Sequence, residues 1–400
     1  MSLPEVAVTG VGAICAAGGS VPQVMDSLYA GEVNAAAPTG FHVELDSVFP
    51  VFEVTSPLDA ASQVTLDFEP TRTTQLALIA TEEALRGARL RHETLQHHRV
   101  GVCLGTTVGC TLNDETFYRE FRDQRFPGMN SIHRYLANNP AQCLADVLGL
   151  SGPVVTIANA CSSGTDAVGL AKTWIETDRC DIAIAGGADE LSRIPYLGFI
   201  RLLLASQQPP RPFDKNRDGL NLGEGAGIVV LESAEHARRR EVPELAHIAG
   251  YASFADAYHP TAPHPDGIGL KRAIQAALVD ARVAPKDVGF INAHATATMD
   301  NDRVEGRVLR DTFPPDTPVV ATKSYTGHTL GAAGGLEAVL TIQALVDQRL
   351  LKTAGFRELD PEIEIRPTEA DAAIDCDTAI SNSLAFGGNN SVLVFRRRRR

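Results

Sequence analysis

The segment around Cys161 places a thiol where a predicted strand ends and a predicted helix begins. Its residues, T-I-A-N-A-C-S-S-G, form a β-branched run that stops at small side chains, and helical spacing of apolar residues follows. This strand–turn–helix arrangement is typical of a nucleophile elbow. We expect the helix dipole to lower the pKa of Cys161 and the N–H groups of the turn to bind an oxyanion. A buried structural cysteine is the alternative, and it stays open at this point.

Three segments of the second half carry polar or glycine-flanked residues after predicted strands. They are I-N-A-H-A-T-A-T, A-T-K-S-Y-T-G-H and S-L-A-F-G-G-N-N, and their candidate residues are His294, Lys323, His328, Phe386, Gly387 and Gly388. Taken singly, each has an ordinary structural interpretation, such as a hydrogen-bonded histidine, a solvated lysine or a core phenylalanine. With Cys161 they supply a thiol, two imidazoles, an ammonium and an N–H-rich loop. That set suits acyl transfer followed by decarboxylation.

Strand-like and helix-like segments alternate along the chain, which indicates an α/β fold with buried sheets. A length of 400 residues favours two domains or two fused halves. The charged, proline-containing segment E-H-A-R-R-R-E-V-P-E separates two stretches of similar alternation. We therefore predict an N-terminal half of residues 1–240, which carries the cysteine. The C-terminal half, residues 241–400, carries the histidines, the lysine and the Phe-Gly-Gly loop.

The composition argues against several classes of protein. The formal net charge of -13 is unlike that of a nucleic-acid-binding protein. No apolar stretch approaches the roughly 20 residues that span a bilayer, and the N-terminus lacks the basic segment of a signal peptide. Seven scattered cysteines without a C-x-x-C pair are typical of a reduced, cytoplasmic protein. His259 and His264 lack neighbouring ligands at suitable spacing, so we expect no metal site.

Five motifs make the sequence similar to the β-ketoacyl-[acyl-carrier-protein] synthase I/II family over essentially its whole length. They are ACSSG, RPFDKNRDGLNLGEGAG, NAHATAT, KSYTGH and AFGGNN, in the order that the family has. The resemblance implies the thiolase fold, with two duplicated halves in a five-layer α-β-α-β-α sandwich. It implies 3-oxoacyl-[acyl-carrier-protein] synthase activity in fatty acid or polyketide and polyene biosynthesis, without a cofactor. The implied partners are acyl carrier protein and a second subunit, either an identical chain or a chain-length subunit.

The resemblance also assigns a role to each candidate residue. Cys161 is the acyl-accepting nucleophile, and His294 and His328 polarise the malonyl thioester and stabilise the enolate. Lys323 organises the site electrostatically. The resemblance assigns Asp302 and Glu305 as the carboxylates that hold the lysine. It assigns a gating loop to Phe386, Gly387 and Gly388, in which the Phe386 N–H joins the oxyanion hole. The phosphopantetheine contacts are Thr296 and Thr298, and the acyl-pocket residues are Val108 and Phe199.

Two loops depart from the family pattern. Ala295 and Ala297 stand where the family usually has glycine, and Ala385 and Asn389 stand where the common form has Gly and Thr. We expect the methyl groups of the first pair to narrow the approach of the phosphopantetheine arm. The departures leave the chemistry intact and favour a specialised polyketide or polyene synthase over housekeeping fatty acid synthesis.

An acidic carrier protein would need a local basic patch on this acidic chain. The arginines that we predict for docking are Arg72, Arg119, Arg122, Arg125 and Arg201. Charge is the only basis for this choice.

Three alternative functions differ in particular residues. A thiolase carries a second cysteine in a C-x-G-G setting, whereas the loop here reads F-G-G-N, and an initiating synthase has asparagine at the position of His328. A non-catalytic, chain-length-determining subunit lacks the nucleophilic cysteine. The presence of Cys161 favours the enzyme, and the non-catalytic subunit is the alternative.

Overall fold

The computed structural model describes residues 3–58, 70–107, 111–126, 128–137 and 139–398. Five strands of the N-terminal half lie side by side in one sheet: β1 (Val6–Cys15), β2 (Val100–Gly105), β3 (Val154–Ile157), β4 (Ile182–Asp189) and β5 (Gly225–Ser233). The helices of this half are α1 (Val21–Ala30), α2 (Arg72–Gly87), α3 (His92–Leu95), α4 (Thr111–Arg122), α5 (Asn130–Ala137), α6 (Pro140–Leu148), α7 (Ser163–Glu176), α8 (Arg193–Arg201) and α9 (Ala234–Arg239).

The C-terminal half contributes five further strands to the sheet and one small separate ribbon. The strands are β6 (Ala246–Ala255), β7 (Phe290–Asn292), β8 (Val319–Val320), β11 (Thr378–Ala385) and β12 (Asn389–Arg396), with β9 (Arg349–Leu350) and β10 (Ala372–Ala373) in the ribbon. The helices are α10 (Ile268–Ala281), α11 (Met299–Thr312), α12 (Lys323–Thr326) and α13 (Ala333–Asp347).

The second half repeats the strand order of the first. The orders are β3-β2-β4-β5-β1 and β8-β7-β11-β12-β6. In both halves the three strands at the outer edge are parallel, and the remaining neighbours are antiparallel. A short antiparallel pairing between β1 and β6 joins the two sets. The predicted duplication is therefore visible in the topology, while the boundary between residues 240 and 241 stays a prediction.

Two buried helices, α7 and α13, lie between the two sets of strands. Each contacts strands of both halves. Helix α7 packs on β4 and β12, and helix α13 packs on β5 and β11. On the outer faces, α2 and α6 cover the first set and α10 covers the second. This is the five-layer α-β-α-β-α arrangement of the thiolase fold, so the predicted fold class is confirmed.

The two central helices approach closely because small residues meet at their N-terminal ends. A Cβ on Gly164 would lie 2.6 Å from the backbone nitrogen of Gly335 and 2.8 Å from the carbonyl oxygen of Gly331. Within the described residues, one stretch, Leu330–Asp347, is long and apolar enough to cross a membrane, and 83% of it is buried inside the protein. Its burial marks it as a core helix.

Most elements follow the sequence pattern. The helix predicted from Thr73 to Ala88 is α2, and the predicted closing pair of strands is β11 and β12. One difference lies in the K-S-Y-T-G-H segment, which we predict to be a loop. It contains the short helix α12, whose Ser324 Oγ donates a hydrogen bond to the Ala321 carbonyl at 2.8 Å.

Candidate active site

Cys161 lies in the middle of a 3₁₀ turn between β3 and α7. The turn spans Ala160–Ser162, and Ala160 has a left-handed backbone with φ of 49°. Ser163 closes the turn, since its Oγ accepts from the Asn159 N–H at 2.7 Å and donates to the Ala160 carbonyl at 2.6 Å. The thiol is thereby held at the head of a buried helix, and Cys161 is only 5% exposed.

His328 is the imidazole that faces the thiol. Its Nε2 lies 3.1 Å from Cys161 Sγ. Its other ring nitrogen, Nδ1, accepts a hydrogen bond from the Leu330 N–H at 3.3 Å. Because Nδ1 accepts, the proton of the neutral ring is on Nε2. The His328 N–H therefore points at the cysteine.

His294 lies beside His328 with the same tautomer. The two ring centroids are 5.3 Å apart and the ring planes meet at 88°. The Nδ1 atom of His294 lies 3.0 Å from Lys323 Nζ. An ammonium can only donate, so Nδ1 accepts and the proton of the ring is on Nε2.

Both imidazoles are neutral at physiological pH. Burial lowers the pKa of His294 and of His328 well below the usual histidine value, and the positive charge of Lys323 lowers both further. The site thus presents two uncharged N–H donors next to a thiol. Such donors can stabilise a developing oxyanion without giving up a proton.

Lys323 pairs with Glu337, a residue that the sequence reasoning missed. The Nζ of Lys323 contacts Glu337 Oε1 in a buried ion pair. Burial raises the pKa of Glu337 to about 7, and the charge of Lys323 opposes that rise. A signal was present in the sequence, because a single acidic residue in the apolar run G-G-L-E-A-V-L needs a buried partner.

Asp302 and Glu305 do not hold the lysine, so this predicted role is wrong. Glu305 accepts hydrogen bonds from the N–H groups of His294 at 2.8 Å and Ala295 at 2.7 Å. Asp302 accepts from the Ala297 N–H at 3.1 Å. The first two turns of α11 direct both carboxylates at the backbone of the histidine loop, whereas α13 supplies the partner of the lysine.

The same two carboxylates account for the alanines of the histidine loop. Ala295 and Ala297 have left-handed backbones, with φ of 40° and 65°, a conformation that glycine adopts more easily. The carboxylates of α11 hold the N–H groups of both residues in place. Both alanines are fully buried and neither lines the cavity beside the thiol. The expectation that their methyl groups narrow the approach of a substrate arm is therefore wrong.

The thiol of Cys161 is protonated in the free protein. Burial raises its pKa to about 11, while the charge of Lys323 and the N–H groups of Phe386 and of Cys161 itself act to lower it. The net shift of the pKa is upward, opposite to the predicted direction, because desolvation is its largest cause. The two N–H groups face the sulfur, and this is where the sequence predicts an oxyanion hole.

A cavity of about 190 Å³ opens beside the thiol. Its wall includes residues predicted for catalysis, arm binding, acyl pocket and gate: Cys161, His294, His328, Thr296, Thr298, Phe199 and Phe386. The rings of Phe199 and Phe386 lie 5.4 Å apart. Gly387 and Gly388 follow Phe386 and have φ of 84° and 79°. The predicted pocket residue Val108 lies outside the described residues.

Arg72, one of the predicted docking residues, forms an ion pair within the chain. Its Nε and Nη2 donate to the Glu224 carboxylate at 2.8 Å and 2.5 Å, and Nη2 also donates to the Val54 carbonyl at 3.1 Å. The Glu224 carboxylate is buried, whereas the Arg72 side chain is 31% exposed, so docking at Arg72 stays a prediction.

The remaining docking candidates are exposed. They are Arg119, Arg122, Arg125 and Arg201. Arg122 and Arg125 both contact Asp123, at 3.2 Å and 3.0 Å. Within the described residues, no group of three or more histidine, cysteine or acidic side chains is placed to hold a metal ion.

Comparison with known proteins agrees with this geometry. Two family models match the chain: Beta-ketoacyl synthase, N-terminal domain, over residues 4–237, and Beta-ketoacyl synthase, C-terminal domain, over residues 245–357. The chain is 33% identical to 3-oxoacyl-[acyl-carrier-protein] synthase 2 of Staphylococcus aureus (strain COL), over 98% of each chain.

Solved structures with the same fold extend the comparison. One is described as the ishigamide ketosynthase/chain length factor, with a TM-score of 0.94 and 31% identity over 100% of both chains. Another is AntDE:AntF, a type II PKS acyl-carrier protein in complex with its ketosynthase bound to the hexaketide. Its TM-score is 0.89, with 27% identity over 100% of both chains.

Fold and site together define an acyltransferase of the condensing type on a thiolase fold. The chain belongs to the β-ketoacyl synthase family. The predicted family and the predicted 3-oxoacyl-[acyl-carrier-protein] synthase activity are confirmed. The roles of individual residues in this chain are proposals.

Proposed function

We propose that the chain joins an acyl group, carried on Cys161, to the two-carbon unit of malonyl-acyl carrier protein. The observation that carries the proposal is the pair of Nε2–H groups of His294 and His328 beside the thiol. Each ring has its Nδ1 engaged as an acceptor, so each has only Nε2–H left to offer a substrate. Two neutral donors next to a nucleophile suit an enolate formed within reach of a thioester.

Acyl transfer is the first half-reaction. The sulfur of Cys161 attacks the acyl carbonyl carbon of the incoming thioester, the bond from that carbon to the carrier-arm sulfur breaks, and the thiol proton passes to the departing sulfur. With a pKa of about 11 the thiol loses this proton only as it attacks. The N–H groups of Cys161 and Phe386 bind the oxyanion that forms in between.

Decarboxylation and condensation make up the second half-reaction. The bond between the malonyl methylene and its carboxylate breaks, carbon dioxide leaves, and the electron pair forms an enolate. His294 and His328 donate to the enolate oxygen, each worth about 2–4 kcal/mol of transition-state stabilisation. The enolate carbon attacks the acyl carbon on Cys161, and the sulfur leaves as a thiolate that takes a proton from solvent.

Lys323 organises the donors in this proposal. Its ammonium fixes the tautomer of His294 through Nδ1, and its charge adds to the burial that keeps both imidazoles neutral. Glu337 balances that charge in the core. The reaction needs no resident cofactor, because the thioester and the departing carbon dioxide supply the driving force.

Acyl carrier protein is the proposed donor of both substrates. The AntDE:AntF structure shows such a complex for a related ketosynthase. In this chain we assign the arm to Thr296 and Thr298, whose hydroxyls lie on the cavity wall 2.9 Å apart. Phe199 borders the acyl pocket. The proposed docking residues are the arginines chosen from local charge, of which all but the half-buried Arg72 are exposed: Arg72, Arg119, Arg122, Arg125 and Arg201.

The edge strand β3 is the proposed site of pairing with a second subunit. Its four residues are not buried in the chain, and Val155 is 37% exposed, whereas both residues of β8 at the opposite edge are buried. An exposed apolar edge strand is a template for pairing with another chain. The partner is an identical chain or a chain-length subunit, and the ishigamide ketosynthase/chain length factor supports the second arrangement.

A non-catalytic chain-length subunit is the second candidate function. The observation that supports this second candidate is the structural resemblance to a ketosynthase/chain length factor. The complete set of thiol, imidazoles and ammonium around one cavity favours the enzyme.

Two further properties stay predictions. One is cytoplasmic localisation, and the other is a polyketide or polyene pathway, which the departures of the two loops from the family pattern favour.

Intact-mass measurement tests the proposal. The protein is incubated with acyl-acyl carrier protein, and then malonyl-acyl carrier protein is added. We expect one acyl adduct on Cys161, followed by 3-oxoacyl-acyl carrier protein. Cys161→Ala should form no adduct and lose elongation by roughly 10³-fold or more. An unmodified Cys161 in the wild-type protein would favour the non-catalytic subunit instead.

A further inference from the structure

Asp166 is a buried carboxylate in the first turn of α7, close to the thiol, and it takes no part in the two proposed half-reactions. The residue is 5% exposed. Four donors surround its two oxygens, and none of them is charged. They are Asn159 and Ser162 on the Oδ2 side and Tyr251 and Ser391 on the Oδ1 side. A buried carboxylate is tolerated when its oxygens are satisfied in this way.

The Oδ2 side holds the turn that carries the nucleophile. Asn159 Nδ2 donates to Asp166 Oδ2 at 2.6 Å. Ser162 Oγ lies 3.0 Å from the same oxygen and 2.9 Å from the Asn159 carbonyl oxygen. Both residues lie within two positions of Cys161, and the left-handed Ala160 lies between Asn159 and the cysteine. The carboxylate thus fixes the turn on both sides of the sulfur.

The Oδ1 side reaches into the C-terminal half of the protein. Tyr251 Oη, on β6, donates to Asp166 Oδ1 at 2.9 Å, and Ser391 Oγ, on β12, donates to the same oxygen. Gly169 makes the contact with the tyrosine possible, because a Cβ there would lie 2.3 Å from Cδ2 of the Tyr251 ring. These contacts attach the nucleophile turn to strands of the half that carries both imidazoles.

We propose that Asp166 is a positioning residue that sets the placement of Cys161 against the C-terminal half. It acts through Asn159 and Ser162 and touches no reacting atom. The inference rests on the proposed role of Cys161 as acyl acceptor. The histidines have supports of their own, Lys323 for His294 and the Leu330 N–H for His328, and no hydrogen bond of Asp166 reaches either ring.

Comparing the rates of the two half-reactions distinguishes the positioning role of Asp166 from a general loss of structure. We expect Asp166→Asn to slow acylation of Cys161 by about 10- to 100-fold, since a nucleophile misplaced by about 1 Å loses rate on this scale. Decarboxylation of malonyl-acyl carrier protein by the same variant should stay within about threefold of wild type. Single-turnover intact mass gives the first rate, and carbon dioxide release gives the second.

Two further variants complete the experiment. Tyr251→Phe keeps the carboxylate and removes one Oδ1 donor, so its acylation rate should fall by about 3- to 10-fold even if Asp166→Asn fails to fold. Asp146→Asn, an exposed aspartate of α6, is the matched control and should leave both rates unchanged.

The outcomes separate this inference from the proposed function. If wild-type protein carries its adduct on Cys161 and the folded Asp166 and Tyr251 variants acylate at the wild-type rate, only the positioning role is overturned. Equal loss of both half-reactions would also overturn it. If the wild-type adduct is not on Cys161, the proposed function itself fails.

Discussion

The two halves of the molecule present their reactive groups on turns of the same construction. In the first half β3 leads through the turn Ala160–Ser162 into α7, and in the second half the chain after β8 leads through Leu330–Ala332 into α13. Each turn begins with a left-handed residue, with φ of 49° and 51°. The thiol lies within its turn, whereas His328 lies two residues before the other. The duplicated backbone thus directs the N-termini of α7 and α13 towards one cavity, and the side chains of the two turns supply different reactive groups.

The two turns differ most in their charge. Helix α13 carries Glu337, which pairs with the ammonium of Lys323, and that ammonium helps to keep both imidazoles neutral. Helix α7 carries Asp166, whose donors are uncharged. Burial raises the pKa of Cys161 to about 11. Burial is the largest cause of the pKa shift on both sides and disfavours the charged form of each group, and the charge of Lys323 adds to that shift at the imidazoles but opposes it at the thiol.

The largest expected effect distinguishes the two turns, because each turn is proposed to serve a different half-reaction. In a Cys161→Ala background only malonyl decarboxylation remains to be measured. Adding His328→Ala should reduce carbon dioxide release from malonyl-acyl carrier protein by about 10²- to 10³-fold, because one of two enolate donors is lost. Equal release by the single and double variants would show that His328 serves the thiol and not the enolate.

His328→Asn is the matched control for that experiment, since its amide keeps an N–H donor and does not titrate. We expect it to retain more decarboxylation than His328→Ala. The pKa values of both histidines lie well below the usual 6.5, so neither ring gains a proton between pH 8 and 6.5. The two histidines should therefore add no titration to the wild-type rate over that range, in which Glu337, with a pKa of about 7, does change its charge. A fall in rate centred near pH 6.5 that is absent in His328→Asn would contradict the lowered pKa of His328.

A smaller effect is expected where the two central helices touch. In Gly164→Ala the new Cβ would lie 2.6 Å from backbone of the other half, so we expect a loss of about 1–3 kcal/mol in free energy of unfolding. A Cβ on Gly198, in α8, would meet no atom of the neighbouring elements within 4 Å, and Gly198→Ala should stabilise the protein by about 0.5–1 kcal/mol. Urea unfolding measures both. Equal effects of the two substitutions would mean that the helices separate easily at this contact.

The sequence was informative where chemistry is local and less so where it depends on contacts across the fold. The Cys161 turn and the histidines stand in short motifs, and the structure brings them to one cavity. Glu337 was missed because its partner lies on a different element. The direction of the pKa shift at Cys161 was wrong because the depth of burial depends on both halves. The role of Asp302 was wrong because a motif fixes a residue type but not where its side chain points.

The smallest expected effect tests whether the two left-handed residues that open the turns are equivalent. Ala160→Gly removes left-handed strain of roughly 1–2 kcal/mol and adds a similar entropy cost in the unfolded chain, so the free energy of unfolding should change by less than about 1 kcal/mol. Leu330→Gly removes the same strain but also a side chain that is only 3% exposed. Its net cost should be about 2–4 kcal/mol. Denaturant unfolding of both variants gives the comparison, and a loss at Ala160 as large as that at Leu330 would show that its methyl group, and not Ser163, holds the nucleophile turn.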